Sequence, residues 1–148
     1  MPLKNYTTDV SAAKTVSEIH LMLAEHGARQ IMFNYDDKNH VISICFSVPA
    51  PNGEQAVKLP ANVPSVQEVL RQQKKNPKIQ NRTKIDDSYE QAERVAWRII
   101  RDWLSAQLAI LETEMVTVQQ VFLPYFMNRA GQTVYQLYEN GSLPFMLE

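Results

Sequence analysis

The sequence predicts an α+β fold: an N-terminal helix and a small antiparallel sheet of about three to four strands, packed on a long central helix and followed by short C-terminal helices. Three observations carry this. Residues 87–114 contain no Pro or Gly, and Ala92, Ala96, Ile99, Trp103, Ala106 and Ile110 recur at three- and four-residue steps, the period of an amphipathic helix. A second stripe, Trp97, Ile100, Leu104, Leu108 and Leu111, runs beside them, so the apolar face is wide enough to be covered from two sides. Residues 40–48 alternate instead, with Ile42, Ile44, Phe46 and Val48 on one face and Val41, Ser43, Cys45 and Ser47 on the other, which is the period of a strand. Short polar turns flank that run, as an antiparallel meander requires.

Taken in order, Tyr6, Thr7, Thr8 and Val10 form a short β-prone segment. Thr15 and Glu18 have capping-box spacing, Val16, Ile19, Leu23 and either Leu21 or Met22 give a one-sided helix, and Gly27 is placed to stop it. Residues 31–35 read as a strand and 36–39 as a turn. After the strand at 40–48, residues 49–53 read as a turn ending in Asn52-Gly53, and 56–59 as a third strand with Val57 and Leu59 on one side. Pro60 and Pro64 end the sheet, and Ser65 is placed to cap a helix to Lys75 with Val66, Val69 and Leu70 inward. Residues 71–84, polar, basic and poor in apolar side chains, read as a linker or mobile loop. Asp87 or Ser88 caps the long helix, whose polar arc includes Gln91 and a Glu90–Arg94 pair at ion-pair spacing. Thr117 is an N-cap for a helix through Phe126 and Met127 that Pro124 should kink or break and Gly131 should end. One more short helix covers residues 133–138 and stops at Asn140-Gly141. The apolar tail, Leu143 to Leu147, should dock on the domain or meet a partner.

A chain of 148 residues fits one domain, 1–148. Within it, 1–64 hold the helix and sheet, 65–86 a short helix and basic linker, and 87–148 the helical part. A net charge of -1 provides no global field for DNA or membranes, so any nucleic-acid contact must come from a local patch. Cys45 is alone and lies in an alternating apolar run, as an inert thiol in a reducing cytosol would. No signal peptide or membrane span is evident, and a cytoplasmic location in a host cell is expected.

Two groups of cations suggest an anion site. The basic segment carries Arg71, Lys74, Lys75, Lys78, Arg82 and Lys84, and flexible basic segments close on phosphates. A solvated linker, the usual role of a charge run, is the other reading of the same segment. On the long helix Arg94, Arg98 and Arg101 fall on one face within reach of a common anion, beside Trp97, which could stack on a base. A salt-bridged helix surface explains the row as well. Phe122, Tyr125, Phe126, Tyr135, Tyr138 and Phe145 form a third candidate, an aromatic surface for a partner or for a homodimer. No catalytic residue is evident. His20, His26 and His40 lack second ligands at metal spacing, Asp36-Asp37 lacks the oxygen set of a calcium loop, and no glycine-rich phosphate loop exists. No metal and no cofactor are expected, and the chain reads as a non-enzyme.

The blocks Tyr6-Thr7-Thr8, Glu18-Ile19, Gly27-Ala28 and Tyr35-Asp36, with residues 91–103 (QAERVAWRIIRDW) and 120–125 (QVFLPY), resemble a group of small phage and prophage proteins of unknown function. The likeness spans most of the chain. It implies an origin on a mobile element and carries no catalytic residues with it. The expectation is therefore a phage-type protein that binds an anionic partner, nucleic acid or nucleotide, and counteracts a host defence. The alternative is an inhibitor or adaptor that binds a host protein through its aromatic C-terminal third.

Overall fold

A computed structural model describes residues 1–51 and 53–142 of the chain. Among these, five α-helices and one three-stranded antiparallel sheet form an α+β architecture. In chain order they are α1 (Ala12–Glu25), β1 (Ile31–Tyr35), β2 (Val41–Ala50), β3 (Gly53–Pro60), α2 (Val63–Lys75), α3 (Tyr89–Glu112), α4 (Val118–Phe122) and α5 (Val134–Glu139). Contacts divide the chain into two compact units. Unit 1 is residues 1–22 and 61–106, and unit 2 is residues 23–60 and 107–148. Each unit draws on both halves of the sequence, and α1 and α3 contribute residues to both.

Unit 1 buries Val16 and Ile19 of α1, Val63 and Leu70 of α2, and Ala92, Val95, Ala96, Trp97 and Leu104 of α3. Several caps differ from expectation. Ser11 Oγ, rather than Thr15, accepts a first-turn amide of α1, from Lys14 at 3.1 Å, and Thr15 is buried inside the helix. Asn62 Oδ1 caps α2 by accepting from Ser65 N at 3.2 Å, so Pro64 belongs to the first turn, where no amide is needed. Val69, expected inward, is exposed. Ser88 caps α3, its Oγ accepting from Gln91 N at 3.2 Å. The β-prone segment near Tyr6 makes turns instead, with Asn5 at φ 65° and Thr8 N donating to Asn5 O. Local β propensity fails there because no strand among the described residues pairs with it.

The basic segment is not a linker. Residues 71–75 complete α2, and a 3-10 turn occupies Arg82–Lys84. The segment is anchored by Ile79 and Ile85, both buried, and by Arg82 Nη1 donating to Lys74 O at 3.0 Å.

In unit 2 the sheet order is β1-β2-β3 with Phe33 opposite Ile44 and Ile44 opposite Leu59. The β2–β3 ladder runs out to Ala50 and Gly53, so Pro49 and Ala50 belong to the strand rather than to the turn. Asn52, placed in that turn, lies outside the described residues. Ile44, Phe46, Val48, Val57 and Leu59 are buried as the alternation predicts, but Ser43, Cys45 and Ser47 on the other face are buried too, and Ile42 is exposed. Ser43 and Ser47 find partners across the β1–β2 pair, accepting from Asn34 Nδ2 at 2.7 Å and from Gln30 N at 3.2 Å.

Gly27 ends α1 at φ 91°, with Ala28 N reaching back to Leu23 O at 3.0 Å. Thr117 and Thr133 cap α4 and α5 through reciprocal bonds with Gln120 and Gln136. Pro124 breaks the helix at Phe122, and the chain tightens into a 3-10 turn. Phe126 and Met127 are therefore not helical. They bridge to Val57 and Thr133, and Gly131 serves a turn closed by Asn128 and Gln132 rather than a helix end.

Candidate anion-binding site

Nine cations were candidates, and most are already engaged. Arg98 Nη1 and Arg101 Nε approach the same carboxylate oxygen of Glu18 at 2.8 and 3.2 Å, and Arg101 Nη1 also meets Asp102 at 3.2 Å. Arg71 pairs with Glu68 at 3.6 Å and Lys74 with Asp87 at 3.7 Å. Glu68 is held below its ordinary pKa first by the Gln72 side-chain bond, against the cost of burial, and then by the Arg71 charge. Lys75, Lys78 and Lys84 have no ion pair among the described residues. Trp97, expected beside the arginines as a stacking platform, is fully buried with its indole N–H lacking an acceptor among the described residues, so no base can reach it.

Two of the nine do converge. Lys84, from the end of the 3-10 turn, and Arg94, from the second turn of α3, line one cleft of about 360 Å³ in unit 1 with Tyr6, Asp9 and Asp86. The residue that builds the cleft is Gln91. Its Nε2 donates to Tyr6 O at 3.0 Å and Thr8 O at 2.9 Å, and its Oε1 accepts from Arg94 Nε at 2.8 Å. Every hydrogen-bonding atom of the amide bar one lone pair is therefore used, which is why a glutamine can be 5% exposed there. The same bond holds the Arg94 side chain, and the ion pair expected with Glu90 is not formed among the described residues. Among the described residues the two terminal nitrogens of Arg94 make no hydrogen bond or ion pair. Asp86 is held ionised by the backbone amide and then the hydroxyl of Ser88, with the charges of Arg94 and Lys74 adding to them against the cost of burial.

The cleft thus offers two cations beside two carboxylates. Anions fit the guanidinium and ammonium groups, and hydroxyl or amino donors fit Asp86 and Asp9. Sequence reasoning found Lys84 and Arg94 but missed Gln91, Asp86, Asp9 and Tyr6. Gln91 was placed on the solvent arc. Its carbonyl partners are 83 and 85 residues away in sequence, so no local pattern marks it.

The aromatic candidates also separate. Phe122 is 1% exposed and packs edge-on to Phe46 at 5.7 Å, so it belongs to the core of unit 2 and not to a partner surface. Tyr125 and Phe126 are half-buried, while Tyr135 and Tyr138 are 55% and 41% exposed. Phe145 and the apolar tail lie outside the described residues.

No family model, curated protein or solved structure matches this chain. Among the described residues no helix is long and apolar enough to cross a membrane, and no group of three or more His, Cys, Asp or Glu side chains could hold a metal ion.

Proposed function

We propose that the chain is a non-enzymatic binding protein for a nucleotide, held at the Lys84–Arg94 cleft. The observation that carries this reading is the Gln91 bond that locks Arg94 Nε and leaves its remaining nitrogens directed by a fixed side chain beside Lys84. A preorganised guanidinium next to an ammonium suits a phosphate, and neighbouring Asp86 and Asp9 suit the donors of a ribose or base. A phosphodiester backbone fits less well, because its internal sugars have no free ribose diol for the two carboxylates. With the resemblance to phage and prophage proteins, the reading extends to a cytoplasmic protein that withholds a nucleotide from a host defence.

Equilibrium titration with ATP, a single-stranded oligonucleotide and inorganic phosphate at low and high salt tests it. ATP should saturate the protein and bind more weakly as salt rises. Arg94→Ala and Lys84→Ala should each weaken binding by about tenfold or more, the worth of one charge-assisted hydrogen bond. Lys78→Ala, which removes an exposed cation outside the cleft, should leave binding unchanged. Absence of saturable ATP binding, or equal losses from all three variants, would overturn the proposal.

The second reading, an adaptor or inhibitor or a homodimer built on the C-terminal third, is favoured by the exposure of Leu123, Tyr135 and Tyr138. A host protein retained by Arg94→Ala but lost from a Tyr135→Ala, Tyr138→Ala double variant would support it instead.

A further inference from the structure

Unit 2 contains a second cavity of different chemistry. It has a volume of about 240 Å³ and is lined by side chains of α1, β2, α3 and α4. Its inner wall is Leu23, Phe46, Val48, Leu108 and Phe122, all buried. At its edge His26 Nε2 lies 2.7 Å from Glu112 Oε1, with the two side chains 29% and 66% exposed. The second oxygen of Glu112 has no hydrogen bond from the protein among the described residues.

We propose that this cavity binds a small aromatic amine. Preformed apolar space with a few polar groups at one end is the general form of a small-molecule site. An apolar cavity of about 150 Å³ suffices for benzene, so this one has room for a ring and a short side chain. The inner wall favours an aromatic guest, because the perpendicular pairing of Phe46 and Phe122 at 5.7 Å presents ring edges and faces to a third ring. The rim selects the head group. An ammonium can donate to the vacant Glu112 oxygen, while His26 holds the other oxygen and so fixes the carboxylate. The site is separate from the nucleotide cleft, and neither proposal depends on the other.

The test is a titration of phenethylamine followed by backbone amide NMR shifts, with toluene and ethylamine as probes of each half of the guest. Phenethylamine should saturate the protein, shift the amides around Phe46 and Phe122, and bind more tightly than either probe. Glu112→Gln should weaken phenethylamine by about tenfold, as loss of a charge-assisted bond does, and leave toluene unchanged. Ala28→Trp, which places an indole in the cavity from its lining, should abolish both. If Ala28→Trp does not fold, Glu112→Gln at the exposed end of α3 still decides the matter. Shifts that do not saturate, ethylamine binding as tightly as phenethylamine, or unchanged affinity in Glu112→Gln would overturn the proposal.

Discussion

The two units are held by different means. Unit 1 depends on polar side chains that meet partners far away in sequence: Gln91 with the carbonyls of Tyr6 and Thr8, Asn5 Nδ2 with Asp102 at 2.9 Å, and Arg98 with Glu18. Unit 2 depends on a strand ladder, on caps whose two members are three residues apart, and on an apolar core centred on Phe46 and Phe122. Local bonds form whenever the segment folds. Long-range polar bonds form only when the whole unit closes, and each then replaces water at a group that would otherwise be buried alone. Unit 2 should therefore be sensitive to lost volume and unit 1 to lost partners.

The largest effect expected is at Phe122. Removing a ring that is 1% exposed leaves a cavity against Phe46, and Phe122→Ala should cost about 3–5 kcal/mol in urea unfolding. Gln91→Ala comes next, at about 1–3 kcal/mol, because it orphans two backbone carbonyls and unpins Arg94. Gln91→Leu keeps most of the volume and should recover little of that loss. Full recovery in Gln91→Leu would mean that packing rather than hydrogen bonding holds unit 1, and the contrast between the units would collapse.

The same contrast explains what was legible in the sequence. The period of α3, the strand at β2, the N-cap at Thr117, the stop at Gly27 and the break at Pro124 are written within a few residues, and all are present. Half of the candidate cleft, Lys84 and Arg94, was readable because cations near one another in sequence are a local signal. Gln91, Asp86 and Asp9 were not, because their value comes from segments that only the closed unit brings together. Thr15 misled for the opposite reason: its spacing to Glu18 copies a capping box, yet Ser11 is the residue positioned at the helix end, and Glu18 is drawn instead to Arg98. The buried serines of β2 defied the alternation because a central strand has neighbours on both edges, and Asn34 and the Gln30 amide supply the bonds that make small polar side chains tolerable there.

Two carboxylates sharpen the comparison at its smallest scale. Asp102 of unit 1 is pushed up by burial but held below its ordinary value of 3.8 by the Asn5 amide, then Arg101 and then Lys4. Asp36 of unit 2 is lowered from the same value chiefly by the backbone amide of His40, two and four residues separating it from the amides it accepts. In both cases the folded pKa lies below the unfolded one. The stability each lends is therefore fully present above 3.8 and is lost as pH falls through the lower folded value. Asparagine can accept the same local amide bonds as Asp36 but cannot answer the charges of Arg101 and Lys4. Asp102→Asn should therefore lower the urea midpoint at neutral pH more than Asp36→Asn does, and its gap from the unsubstituted protein should close as the pH is taken well below 3.8. A gap at Asp102 that persists unchanged into acid would show that the Asn5 hydrogen bond, rather than the ionic partners, is what residue 102 contributes.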